Sequence, residues 1–215
     1  MSVRAALELS YSGCPTVLGA KCIKSEFECS EFASAAIDML NKKHLSEKII
    51  YINRSSSAIL GANIKTGPAG VPTIYFSEMS YKPNKLLNQQ FTENFVKTIC
   101  SINTPSRVYL VRPIPEMGID VPKTMSRALM FGKPVPQISI SLEEYHQRHA
   151  VVLAAQDEAA SQCGVKIINP LPYLCHDGRC WGSKDGRPFY YDDNHLSEFG
   201  NKLLVPMFKQ VWAES

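Results

Sequence analysis

The sequence has no apolar run near the ~20 residues that a helix needs to cross a bilayer. Its opening residues also lack the basic, apolar and small-residue succession of a secretory signal. Neither a membrane span nor an export address can therefore be read in these 215 residues. Charge is sparse too: the formal net charge is +3, and Lys and Arg are scattered along the chain. Binding a phosphate backbone calls for a basic stripe, so nucleic acid is not an expected partner. No internal repeat or low-complexity segment is present, which argues against solenoids and disordered tracts. No composition shift marks a boundary, and with 45% hydrophobic residues the expectation is one domain over 1–215 with one well-buried core.

Cysteine, by contrast, is plentiful: there are seven. Cys14, Cys22 and Cys29 gather near the start, Cys175 and Cys180 near the end, and Cys100 and Cys163 stand alone. Such clusters in loop-like sequence read as disulfides formed in an oxidising compartment. Cys175–Cys180 is the first pair to expect, because His176-Asp177-Gly178 between them supplies a turn. Reduced, partly buried thiols are the alternative, since free Cys packs as a small hydrophobe. An odd number leaves at least one thiol unpaired within the chain. Disulfides without an export signal conflict, and the conflict resolves if further sequence lies upstream.

Helical and strand patterns alternate. Phe32, Ala36, Met39 and Leu40 fall at helical spacing, and "KIIYIN" (48–53) then reads as a buried strand. Phe91, Phe95 and Ile99 precede "RVYLV" (107–111); Leu142, Tyr145, His149, Val152 and Leu153 precede "VKIIN" (165–169). A stripe from Leu203 to Trp212 closes the chain, with Pro206 expected to kink or delay that helix. Strand then helix, repeated, is the pattern of an α/β fold with a parallel sheet covered on both faces. Ligands in such sheets bind beyond the carboxyl ends of the strands. "NRSSSA", "RPIPEMG" and the loop from Pro170 to His195 are therefore the segments to inspect. Gly61 to Asn88 reads as a long surface loop or lid, or as a tolerated insertion.

The densest chemistry is "YYDDNHLSEFG" (190–200). If Ser197 caps the last helical region, His195 stands in the turn before it, and Asp192 can curl back to accept a hydrogen bond from Nδ1–H. That leaves Nε2 outward as a base, with the carboxylate fixing the tautomer and stabilising the imidazolium. Asp193 is expected to point to solvent. A polar loop that only caps a helix is the competing reading of D-x-x-H taken alone.

Taken together, "LPYLCHDGRCWGSKDGRPFYYDDNHLSEFGNKLL" resembles the terminal block of SGNH hydrolases. It is most similar to the SGNH domains fused behind type-3 membrane acyltransferases, in which a Cys pair, an aromatic residue, an Asp, two residues, then His-Leu-Ser and a Gly follow one another. "SGCPT" (12–16), "IIYINRSSSAI" (49–59) and "VYLVRPIPEMG" (108–118) are similar to other segments of that family in order and spacing. The resemblance implies a three-layer α/β/α sandwich with a mostly parallel sheet, and a Ser-Asp-His triad to which Asp192 and His195 belong. It further implies O-acyltransfer, acetyl being the expected group, or esterase chemistry on cell-surface carbohydrate in the periplasm or another extracytoplasmic space. The acyl group would come from acyl-CoA through a transmembrane acyltransferase domain in the same longer chain, so no bound cofactor and no metal are expected. Gly13, where the family has its second-block Gly, and Asn53, just past a strand, are the oxyanion-hole candidates. Arg54 is a substrate-binding candidate, although Ser55 follows it where the family often has an aromatic residue.

The family's Gly-Asp-Ser is absent. "MSVRAALELSYSGCP" reads as the helix after that motif, from the spacing of Val3, Ala6 and Leu7, so the first strand and its serine are expected upstream. Ser55, Ser56 and Ser57, after a strand, are rival nucleophiles, though none sits in a Gly-x-Ser-x-Gly elbow; Ser10 and Ser12 are further rivals. Two other readings remain at this point. One is a non-catalytic carbohydrate-binding or interaction module with a decayed site. The other is a zinc set of Cys175, His176, Cys180 and His195. His44, His146 and His149 are expected at the surface or in the core.

Overall fold

Three short apolar runs form the centre of the fold in the computed structural model, which describes residues 6–24, 26, 28–42, 48–63, 65 and 70–213. Ile49–Tyr51 (β2), Val108–Val111 (β4) and Lys166–Ile168 (β6) pair in parallel in the order β2-β4-β6. Strand alternation sends neighbouring side chains to opposite faces. Val108 and Leu110 accordingly join one core with Ile49 and Ile167, while Tyr109 and Val111 join a second with Ile50 and Ile168. The sheet thus has helices on both faces, and β2 has no second strand partner among the described residues.

On the first face lie Cys29–Lys42 (α1), Ser55–Leu60 (α2), Lys85–Cys100 (α3) and most of Leu142–Cys163 (α5). Phe91 and Phe95 of α3 are fully buried there, each contributing about 1.5–3 kcal/mol through burial. Asn84 caps α3 by accepting from Leu87 N–H at 2.8 Å. A reciprocal Ser141–Glu144 capping box starts α5, and Gly164, at φ 72°, ends it in the left-handed region. The second face is covered by Val121–Met130 (α4), Glu198–Leu203 (α7) and Val205–Ala213 (α8). The terminal stripe is two helices, broken at Leu204, with Pro206 in the first turn of the second. A Pro is tolerated there because the first-turn N–H groups have no helical partner.

Small antiparallel pieces decorate this frame. Lys21–Cys22 (β1) pairs with Ile74–Tyr75 (β3), so the Gly61–Asn88 stretch is in part sheet. Ser139–Ser141 (β5) and Cys175–His176 (β7) flank Arg179–Trp181 (β8). After Leu171–Leu174 (α6), the β7–β8 hairpin turns on Asp177 and Gly178, both at positive φ, the geometry of a two-residue primed turn. Ser183–Lys184 (β9) and Arg187–Pro188 (β10) form another.

Disulfides join Cys14–Cys29, Cys100–Cys163 and Cys175–Cys180, and Cys22 is a free thiol. Cys100–Cys163 ties the end of α3 to the end of α5 across 63 residues, a loop worth about 4 kcal/mol in the chain-entropy account. One expectation fails outright. Ala6 to Ser12 form no helix, because Leu7, at 64% exposure, has no surface to pack against and an apolar stripe alone does not stabilise so short a helix. Val3 and His44 lie outside the described residues.

Candidate active site

The turn from Asp192 to His195 is pinned from below. Tyr190, buried, donates its hydroxyl to the Pro115 carbonyl at 2.7 Å. Met117 N–H donates to Asp193 O at 2.7 Å, and Val121 N–H, in the first turn of α4, to Asp192 O at 3.1 Å. Tyr191 N–H closes the turn on His195 O at 2.7 Å. Downstream, the Ser197 hydroxyl caps α7 by accepting from Gly200 N–H at 3.1 Å. Gly200 is required by close approach, since a Cβ there would lie 2.1 Å from Phe189 O.

Within the turn, Asp192 is the organising group. Its Oδ1 accepts from the N–H groups of Asn194 (2.8 Å) and His195 (2.7 Å), and its Oδ2 lies 2.7 Å from His195 Nδ1. Partial burial is the largest single influence on this carboxyl and pushes its pKa up. The two backbone donors and the His195 ring together outweigh it and hold the pKa below the usual carboxylate value. An ionised Asp192 accepts from Nδ1–H, which fixes the tautomer and leaves the Nε2 lone pair free to take a proton. The His195 side chain is 58% exposed. Arg54 Nη1 lies 3.4 Å from Nε2, so the guanidinium stands at the lone pair where a nucleophile's hydroxyl would be placed. Asp193 is turned into the local network, accepting from Asn194 Nδ2 at 2.6 Å, and does not contact the imidazole.

Two clefts meet at His195. The first, of about 530 Å³, brings Gly13, Asn53 and Arg54 together with His195. It lies past the carboxyl end of β2, where Ile52, Asn53 and Arg54 line it. Gly13 adopts φ 81°, a conformation that favours glycine. The Tyr51 hydroxyl donates to Thr16 O at 3.0 Å, which ties the Gly13–Thr16 loop to the end of β2. The second cleft, of about 410 Å³, lies toward α8, with Ile114, Leu204 and Phe208 among its walls.

None of the rival serines is hydrogen-bonded to His195. Ser55 and Ser56 are buried, and the Ser56 hydroxyl lies 2.7 Å from Nδ1 of His149, not from His195. Ser57 borders the first cleft from within α2, as do Ser10 and Ser12 from their loop; Ser10 is bonded to Glu8 at 2.8 Å. His149 is a core residue whose pKa burial pushes down to about 3, helped by the charges of Arg148 and His146. The buried Ser56–His149 contact was not legible in the sequence, because its partners are 93 positions apart. Serine at a strand end, with a histidine on the α5 stripe, was the only hint. The zinc set does not assemble: Cys175 and Cys180 are bonded to each other, and His176 stacks on Trp181 and contacts Asp177.

The described geometry is that of an oriented base facing a polar cleft. A search among curated proteins found no match. A solved structure described as the periplasmic domain of a lipopolysaccharide acetyltransferase from Salmonella ser. Paratyphi A superposes with a TM-score of 0.62 at 15% identity. The match covers 94% of this chain and 70% of that one, and likeness at this identity carries the fold. The family model described as the SGNH domain fused to AT3 domains matches residues 2–210. The chain therefore belongs to the family of SGNH domains fused to AT3 domains.

Proposed function

We propose that the chain is the base-bearing part of an SGNH O-acyltransferase, acting on acyl esters of cell-surface carbohydrate in the periplasm or an equivalent outer compartment. Three disulfides favour that compartment. The relative with the same fold is described as a lipopolysaccharide acetyltransferase domain. A membrane-embedded AT3 partner domain, named in the family's description, supplies the acyl group.

The single observation that carries the reading is the Asp192–His195 contact at 2.7 Å with Nε2 facing a cleft. Among the described residues no serine occupies the place at Nε2, where Arg54 stands, and the sequence has no Gly-Asp-Ser. The nucleophile is then a serine from outside this sequence, seated in the first cleft past the carboxyl end of β2. His195 takes its proton as the serine oxygen attacks the donor's carbonyl, and the donor's leaving group departs with a proton. In the second half, His195 takes the proton of a sugar hydroxyl; the sugar oxygen bonds the acyl carbon, the serine ester bond breaks, and the proton returns to the serine. Gly13 N–H and the Asn53 amide are the donors for the oxyanion, and Arg54 contacts the substrate.

In the longer protein that carries the serine, His195→Ala should abolish acyl transfer to a sugar acceptor while leaving the folded structure intact. Unchanged transfer would overturn the assignment. A non-catalytic carbohydrate-binding module, favoured by the missing serine, predicts sugar binding with no transfer by either form.

A further inference from the structure

The proposed chemistry leaves one cavity unused. The second cleft shares Ile52, Asn53, Arg54 and His195 with the first, and extends between the carboxyl ends of β2 and β4, the turn after His195, and α8. Its walls are apolar: Ile114, Leu196, Leu204 and Phe208 line it with Val111 and Pro113. Several of the charged and hydroxyl groups that line it already hold partners. Ser56 Oγ is bonded to His149 Nδ1 at 2.7 Å, Glu116 pairs with Arg148 at 2.8 Å, and Arg112 donates to Leu153 O at 2.8 Å and to Asp157. His149 Nε2 and Asn194 Oδ1 are buried without a partner. Apart from Asn53, Arg54 and His195, which it shares with the first cleft, the cleft adds few free polar groups to grip the ring of hydroxyls on a sugar.

An apolar hollow kept open to water beside a base is costly unless a ligand fills it. Its volume of about 410 Å³ falls within the range of small-molecule sites, ~300–1,000 Å³. Measured against the ~30 Å³ that a water molecule takes up in the liquid, an acetyl group would leave most of it empty. Because both clefts contain His195, a carbonyl held at the base can extend its chain into the apolar one while the serine and the sugar approach from the polar one.

We infer that the second cleft is an acyl-chain pocket, which accepts an uncharged aliphatic acyl group longer than acetyl, of roughly four to eight carbons. Ile114 and Phe208 set its length. This rests on the acyl-transfer reading for its purpose, but the pocket exists independently of the serine, so binding tests it separately. The transfer step is unchanged: the longer acyl carbon leaves the serine oxygen for the sugar oxygen, and the proton passes through His195 as before.

The test is a calorimetric titration of this chain with the methyl esters of acetate, butyrate, hexanoate and octanoate, and with methyl glucoside. Affinity should rise about fourfold per added methylene as far as the pocket is filled. Ile114→Trp, which fills the cavity, should flatten the series at its short end. Phe208→Ala, which opens it, should move the limit to longer chains, so one variant keeps the test valid if the other misfolds. Because the series reads binding and not transfer, failure of the pocket is separated from failure of the triad. Equal affinities across the wild-type series, or displacement of butyrate ester by methyl glucoside, would overturn the inference.

Discussion

Two histidines lie close to the same cavity and have opposite fates. His195 has a carboxylate on one nitrogen, a cleft on the other and 58% of its side chain exposed. His149 is 1% exposed, has a serine hydroxyl on one nitrogen and nothing on the other. A Ser–His contact of 2.7 Å would tempt a search for catalysis, yet burial holds His149 neutral down to about pH 3. It has no carboxylate to stabilise an imidazolium, and a base that cannot take a proton near neutral pH does no acid–base work. What separates the proposed base from the structural histidine is therefore the third group and the solvent, not the hydroxyl.

The comparison is broken most severely at His195. In the serine-bearing protein, His195→Ala should cost about 10⁶ in turnover, with the thermal midpoint of unfolding unchanged, read by a steady-state transfer assay beside calorimetry. Asp192→Asn should cost as much or less, because a mis-set tautomer still leaves a base. Neutral behaviour of both variants would return the turn to a mere helix cap.

Next in size is a change that touches neither histidine. Replacing Cys100 and Cys163 by Ala should remove about 4 kcal/mol of stability, measured by chemical denaturation, and it should leave ligand affinity in both clefts unchanged. At His149 the effect should be on stability alone. Ser56→Ala strips the buried imidazole of its partner and should cost about 1–3 kcal/mol, with transfer activity retained; loss of activity without loss of stability would instead make Ser56 the nucleophile.

Smallest at neutral pH, and growing as acid is added, is the effect of titration. His149 has a folded pKa depressed from 6.5 to about 3, so the unfolded chain binds a proton that the folded chain refuses. Its contribution to stability is whole above pH 6.5 and is lost as pH falls toward 3, at up to about 1.4 kcal/mol per pH unit. Asp192, whose pKa is lowered, adds a further loss only below its unfolded value, near pH 4. His149→Phe should flatten the stability curve between pH 6.5 and 4 and leave the acid limb below pH 4 in place. An unaltered slope in denaturant titrations across that range would show that His149 is not buried neutral.

These contrasts also show what one sequence can disclose. The parallel strands were legible because "IIY", "VYLV" and "KII" send apolar side chains into the cores on both faces and read as short apolar runs. The Asp192–His195 contact was legible because three residues of one turn are a local geometry, fixed by backbone N–H donors that any such turn supplies. The Cys175–Cys180 pair was legible for the same reason. Pairings across 15 and 63 residues, Cys14–Cys29 and Cys100–Cys163, were left open, since spacing carries no connectivity. The same holds for Lys21–Cys22 against Ile74–Tyr75, and for Arg54 reaching His195 from 141 positions away. The α4 helix went unread although Asp120 caps it at 2.9 Å, because only Val121 and Met125 of its residues are buried and its apolar stripe is too thin to recognise.

The central claim is that Asp192 and His195 serve a serine that this sequence does not contain. Labelling the longer protein with a serine-directed phosphonate, followed by mass-spectrometric location of the adduct, tests it most directly. The account predicts one adduct, on a serine outside residues 1–215, that disappears in His195→Ala; these 215 residues alone should take up none. An adduct on Ser10, Ser12, Ser55, Ser56 or Ser57, or one that persists without the His195 imidazole, would contradict it.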